Sequence, residues 1–359
     1  MTLLVCALVA VCGAARSPIS AGASEPHWVV TDLGNLGMAG VTVADINDRG
    51  EVVGASLTSH GATHGFVWAN GSMRELGQGP FAGATGINEH GQIIGTSSSA
   101  AYSEEHAVLW EHGKMVDLGP RSGVTAINER GQILGFRYVA DNGGFTSTAV
   151  LWENGTMRSL GLARAAAIND RGQVVGENGG RAVEWQKGKI IDLGPGEAVD
   201  INNRGQILGD NDGHLVVWKN GMRINLPPGT ATPLAHAINE RGQVTGSLRT
   251  PTGDLHAFLW QSGKLIDLGT LGGKWSTPTA ISDRGQIIGY SLDKSGKQHA
   301  FLWQNGTMTQ LPSPSRNTRT RAIAINEHNQ IIGDNCFADC GERQPWAGSK
   351  FAVIWTSRG

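Results

Sequence analysis

The sequence predicts an all-β protein: an eight-bladed propeller of four-stranded antiparallel blades, its ring closed by an N-terminal strand. Three observations predict it. Three phrases, A-I-N-E-R-G-Q-I-I-G, H-A-F-L-W and N-G-x-M-x-D-L-G, recur in fixed order, with an Ile-Asn or Ile-Ser step at Ile46, Ile87, Ile127, Ile168, Ile201, Ile238, Ile281 and Ile325. A Trp closes the second phrase at Trp68, Trp110, Trp152, Trp185, Trp218, Trp260, Trp303 and Trp355. Repeats of about 40 residues that each hold several short strands indicate a propeller or a related array. The eighth copy runs only to Trp355 and its short tail, while Trp28-Val29-Val30-Thr31-Asp32-Leu33-Gly34 reads as a fourth strand. Pairing those two segments removes an open sheet edge, which is a liability in an isolated blade.

The seventh copy shows how each element arises. Ala280-Ile281 is a short apolar first strand, and Ser282 to Gly285 is a turn. Gln286 to Gly289 is the second strand, Tyr290 to Gln298 a variable stretch, and His299 to Trp303 the third strand. Asn305-Gly306 is a two-residue hairpin signal, because both positions of such a turn need positive φ. Thr307 to Leu311 is the fourth strand. The Asn of the first turn recurs at Asn47, Asn88, Asn128, Asn169, Asn202, Asn239 and Asn326. Its side chain can bond its own backbone two residues on. Asn329 stands where the other copies have Gly, so a left-handed backbone is the expected constraint.

The ends of the chain differ from the repeats. Leu3 to Val11 is an apolar run too short to span a bilayer, and Ala21-Gly22-Ala23 fits a small-x-small cleavage site. Residues 1–23 are therefore expected to be a signal peptide and 24–359 a single domain, with no membrane span. Of the four cysteines, Cys336 and Cys340 would remain after cleavage and are expected to form a disulfide across a small loop. The net charge is -2 and charged residues make up 17% of the chain, which argues against nucleic-acid binding. No G-x-S-x-G elbow, H-E-x-x-H helix or phosphate loop is present, and no cofactor is implied.

The phrases resemble the HAF-repeat family, named for His-Ala-Phe. His256-Ala257-Phe258-Leu259-Trp260, His299-Ala300-Phe301-Leu302-Trp303 and Asp267-Leu268-Gly269-Thr270-Leu271-Gly272-Gly273 carry the resemblance. It covers nearly the whole chain after residue 23, and the fourth and fifth copies depart most. It implies an extracellular bacterial protein. It brings no established activity and no catalytic residues.

The alternation of strands and connections separates two faces. Turns within the hairpins are short and uniform, whereas the second-to-third connections and the blade-to-blade connections vary in length and share the opposite face. Binding sites concentrate on such variable loops. Exposed aromatics there could stack on sugars or anchor a partner: Tyr102, Phe136, Tyr138, Phe145, Trp275, Tyr290, Phe337 and Trp346. Tyr102, Tyr138, Trp275 and Trp346 are the ligand-binding candidates. Arg316, Arg319 and Arg321 cluster in the last connection and read as a solvated loop or as contacts for an anionic polymer.

Other repeated side chains read mostly as fold. His64, His106, His214, His256 and His299 sit on different blades, and stacked sheets lie about 10 Å apart. That is too far for a shared metal, so bonding within or between blades is expected. The turn carboxylates (Asp48, Glu89, Glu129, Asp170, Glu240, Asp283, Glu327) read as solvated turn tips. Asp45 and Asp200 break the repeat, since the residue before the Ile is elsewhere Gly or Ala. They are expected to face the axis, either idle or as a cation or acid–base site, with Arg121, Arg164 and His236 as further polar candidates there. The reading is a secreted or cell-surface, monomeric binding or adhesion module for carbohydrate or protein. The alternatives are an extracellular polysaccharide lyase or glycoside hydrolase acting at the axis, and a purely structural surface protein.

Overall fold

The computed structural model describes residues 27–77, 81–98, 104–141, 144–211, 214–226, 234–315, 319–336 and 349–358. All regular elements among them are strands, and the fold is all-β and propeller-like. The strands form four-stranded antiparallel units in chain order, as in Ser122–Ile127, Ile133–Asp141, Gly144–Glu153 and Thr156–Ser159. Single parallel contacts, Thr63 with Phe81 and Leu255 with Trp275, join the first two units and the sixth and seventh. The N-terminal strand His27–Asp32 lies antiparallel to Ser349–Arg358, with Val30 opposite Trp355, and so supplies the fourth place in the last unit.

The turn chemistry follows the sequence. Asn70, Asn154, Asn220 and Asn305, with His112, Lys187 and Ser262, all sit near φ +50°, each followed by a positive-φ Gly. Asn329 is also left-handed, at φ +60°. The Gly of the second strand has a different cause. A Cβ at Gly333 would lie 2.1 Å from the Arg321 carbonyl oxygen and 2.6 Å from the Trp355 ring, so only hydrogen fits.

Two expectations about the extent of strands differ from the structure. The first strands are longer than the apolar step that marks them: the seventh is Gly272–Ile281, with a register shift between Pro278 and Ala280. The stretch from Phe136 to Ser147, read as a loop, is mainly a long hairpin in which Tyr138 pairs with Ser147 and Val139 with Thr146. Backbone pairing continues past the uniform part of the blade because Val139, Thr146 and Thr148 are good strand formers.

Neighbouring units are tied by polar bonds as well as by apolar packing. Each turn Asn uses its Oδ1 at home, as when Asn88 accepts from the backbone N–H groups of His90 and Gln92. Its Nδ2 then reaches the next copy: Asn88 donates to the Asn128 carbonyl (3.1 Å), and Asn326 donates to the Asn47 carbonyl (3.0 Å). The turn carboxylates are not idle tips. The Asp48 N–H donates to Glu89, Glu129 to Asp170, Glu240 to Asp283, Asp283 to Glu327, and Glu327 back to Asp48. Asn203 takes the same role in the fifth copy. Leu33, Val41, Phe66, Ile332 and Ile354 form one apolar cluster across the first and last copies.

Candidate functional site

Asp45 and Asp200 occupy equivalent places on first strands, and each ties two copies together. Asp45 accepts from the Ile46 N–H (2.9 Å) and from the Ile87 N–H of the next copy (3.1 Å). Asp200 accepts from Ile201 (2.8 Å) and from Ile238 (2.9 Å). Burial pushes the Asp45 carboxyl up to about 6, against the pull of its two N–H donors, with the charges of Glu89 and Glu129 adding to the rise. Burial raises Asp200 likewise, and Glu240 adds to it. The geometry thus gives both acids a clamping role, with both carboxylate oxygens engaged. His236 lies two residues before Ile238; its buried Nε2 has no hydrogen-bond partner, and burial lowers its pKa. Arg164 pairs with Glu197, and Arg121 pairs with Glu104.

The recurring His has a partner within its own unit. His106 Nδ1 lies 2.9 Å from Asp117, His256 Nδ1 lies 2.9 Å from Asp267, and His64 pairs with Glu75. In the fourth copy Arg181 replaces the His and pairs with Asp192 (2.7 Å). His299 instead meets Asp293 through Nε2, and its Nδ1 accepts from Gln310. The H-A-F-L-W and D-L-G phrases therefore meet across the third and fourth strands. The constant spacing of eleven residues between base and acid was the readable signal. Among the described residues no group of three or more His, Cys, Asp or Glu could hold a metal ion.

Two clefts open on the face that carries the variable connections, and they share a plan. Each takes residues from one second-to-third connection, from the next blade connection or the first strand that follows it, and from the following second strand. The first, about 460 Å³, is lined by Glu104, Pro120, Arg121, Arg137, Tyr138, Val139 and Ala140. An adjoining hollow brings in Glu105 and Phe145. Tyr138 is 44% exposed and Phe145 is 63% exposed. The Arg121 guanidinium lies 5.3 Å from the centre of the Phe145 ring, and Phe136 meets Tyr138 edge to face. Arg121 holds φ +55°, a strained value for a residue of this size, beside Pro120.

The second cleft, about 420 Å³, is lined by Arg249, Gly253, Asp254, Leu255, Lys274, Trp275, Thr277 and Tyr290. The Trp275 and Tyr290 rings meet edge to face with centroids 5.2 Å apart. The sequence singled out both rings without linking them; the register that places Thr277 opposite Tyr290 does so. Of the other aromatic candidates, Tyr102, Phe337 and Trp346 lie outside the described residues, as do Cys340 and the side chain of Cys336, the expected disulfide pair. Arg321 belongs to neither cleft. Its guanidinium forks onto Asp334 (2.7 and 3.0 Å), whose side chain is 1% exposed. Arg316 lies outside the described residues, and Arg319 begins the strand Arg319–Ile325.

No family model matches the chain, and no curated protein matches it. Among solved structures the chain is similar to a Pyrococcus horikoshii acylaminoacyl peptidase, at 12% identity over 84% of this chain and 58% of that one, with a TM-score of 0.50. It is similar to a Mycobacterium tuberculosis puromycin-hydrolyzing peptidase at 13% identity over 85% of this chain and 59% of that one, also at 0.50. An ulvan lyase, a polysaccharide lyase, matches at 10% identity over 90% of this chain and 95% of that one, with a TM-score of 0.46. The chain spans less than two thirds of either peptidase's length. At such identities the likeness to the two peptidases is one of fold, and it agrees with a propeller-like class. No helix among the described residues is long and apolar enough to cross a membrane.

Proposed function

We propose that the chain is a secreted or cell-surface binding module, an eight-bladed propeller closed by its N-terminal strand, that takes its ligand on the variable-connection face. The signal-like residues 1–23 and the HAF-type phrases support the location. The turn-carboxylate bonds that return from Glu327 to Asp48 support eight blades and closure. One observation carries the binding reading: two clefts with the same plan, each lined by aromatic and charged side chains, open on that single face. The opposite turns, by contrast, spend their polar groups on one another. A glycan and protein array probed with the mature domain tests the reading. Selective binding that weakens on Tyr138→Ala or Trp275→Ala is expected. Selective binding that both substitutions leave intact would remove the aromatic clefts from the account.

A second reading, an extracellular polysaccharide lyase or glycoside hydrolase at the axis, draws on one observation. A carboxyl held near 6, as Asp45 is, suits a general acid. It predicts that Asp45→Asn and Asp200→Asn abolish turnover on a polysaccharide panel while cooperative melting is kept. Unchanged turnover would eliminate both residues from catalysis. A structural surface protein would bind nothing on either array.

A further inference from the structure

We propose that the cleft of Arg249, Asp254, Lys274, Trp275 and Tyr290 is a subsite for an acidic sugar residue, one that bears a carboxylate or a sulfate. This rests on the binding-module reading and names the ligand class for one of its two clefts. The volume, about 420 Å³, falls within the range of small-molecule sites. In the edge-to-face arrangement of Trp275 and Tyr290, one ring presents its rim and keeps its faces clear of its partner. A ring face is electron-rich, so the C–H side of a sugar packs against it favourably, and the buried aromatic area adds to that.

The charges select within the sugars. Arg249 and Lys274 are both exposed, and among the described residues neither is paired with a carboxylate. Among the described residues Arg249 donates to the nearby Gly253 carbonyl alone, at 3.2 Å. Asp254 is the acid of the lining, and it accepts from Thr252 Oγ1 (3.1 Å). Two cations against one acid leave the cleft with excess positive charge in a chain whose net charge is negative. A guanidinium and an ammonium at the rim can hold a carboxylate or sulfate, and charged hydrogen bonds of that kind are the strong ones. The Asp254 carboxylate can accept from sugar hydroxyls and fix orientation. The first cleft also holds two cations, Arg121 and Arg137, against one acid, but there the acid is already paired, Glu104 with Arg121, whereas Asp254 pairs with neither cation of the second.

The cleft is also built in advance. Leu255 bridges to Trp275 between units. Ser291 Oγ donates to the Trp275 carbonyl (3.1 Å) and accepts from the Leu271 N–H (3.0 Å). Ser276 Oγ donates to the Gly269 carbonyl (2.6 Å) and accepts from the Ala257 N–H (2.8 Å). The turn that carries Asp254 is closed by Thr250 N–H to the Asp254 carbonyl (2.8 Å) and by the Asp254 N–H to Thr250 Oγ1 (3.1 Å). Groups fixed before the ligand arrives cost less to order on binding. Two cations make a subsite and not a long basic track, which points to a sugar acid within a chain and not to a nucleic acid.

Calorimetric titration of the full chain with oligogalacturonate, a sulfated galactan oligosaccharide and a neutral galactan oligosaccharide of equal length tests this. At least one acidic probe should bind, its affinity should fall as sodium chloride rises, and the neutral probe should bind about tenfold more weakly or worse. The preferred acidic probe separates carboxylate from sulfate. Arg249→Gln and Lys274→Gln should each cost about tenfold, and Trp275→Ala at least as much, with Tyr138→Ala unchanged. Arg249 and Lys274 are exposed, so those variants keep their fold even if Trp275→Ala does not. Equal affinity for the neutral probe, or indifference to the Arg249 and Lys274 changes, overturns the proposal. Failure of all three probes to bind would overturn it too, and an array ligand that depends on Tyr138 would then leave the binding module intact. No ligand on the glycan and protein array, and none of the three probes, would overturn both.

Discussion

Removing residues 27–34 tests how much the last unit depends on the N-terminal strand. Six residues, His27 to Asp32, pair in register with Val353 to Arg358. The Leu33 N–H adds a bond to the Ala352 carbonyl at 2.9 Å. Leu33 is 4% exposed and sits among Val41, Phe66 and Ile354, so its loss costs about 2–5 kcal/mol by analogy with buried Leu→Ala changes. Trp28 and Val30 pack partly buried on Ile331, Val353 and Trp355, and together contribute about 2–3 kcal/mol. The lost ladder bonds add roughly 2–4 kcal/mol net. The sum, about 6–12 kcal/mol, is comparable to the whole stability of a typical domain. The truncated chain should therefore melt at least about 10 °C lower by calorimetry, if it folds at all. Size-exclusion chromatography with light scattering should show association through the uncovered strand Ser349–Arg358. Leu33→Ala provides a milder version that keeps the strand. A truncated chain that stays monomeric and melts within about 2 °C of the intact one would show that the last unit does not depend on this strand.

Two further outcomes concern a buried carboxyl and the left-handed turn residues. Asp45 titrates near 6 in the folded chain against 3.8 for a free carboxyl, so the folded state holds the proton more tightly. Its contribution to stability is then greatest at low pH and declines as pH rises from about 4 to 6, by about 3 kcal/mol at 1.36 kcal/mol per unit. Denaturant titrations from pH 4 to 7 should show that much less decline in Asp45→Ala; parallel curves would contradict the assignment. His112, Lys187 and Ser262 hold left-handed φ where other copies use Asn. Replacing the three together with Asn should stabilise the chain by roughly 1 kcal/mol or more, read as a higher melting temperature, and a lower one would contradict the turn argument.

What could be read from one repeat was read from backbone chemistry. The Asn-Gly hairpins, the turn Asn and the left-handed Asn329 are local signals, and each appears as expected. The roles between copies were not legible, because a partner forty residues away leaves no mark on a single phrase. Glu89 shows this: its neighbour in sequence is His90, but its carboxylate receives the N–H of Asp48 in the preceding copy. Asp45 stood out because it breaks the pattern, yet its bond to Ile87 depends on how adjacent first strands approach. The clefts mix both kinds of information. Trp275 and Tyr290 were visible as loop aromatics, whereas their pairing, and the cations beside them, depend on strand register and on the connection from the sixth unit to the seventh.

Ligand should meet the variable-connection face. Hydrogen exchange of the mature domain, with and without a ligand chosen by the array, measures this directly. New protection should be confined to the segments that line the clefts, Arg249 to Leu255 with Lys274 to Thr277, or Glu104 with Arg121 and Arg137 to Ala140. Protection centred on the opposite turns, around Asp48, Glu129 and Asp283, would contradict it.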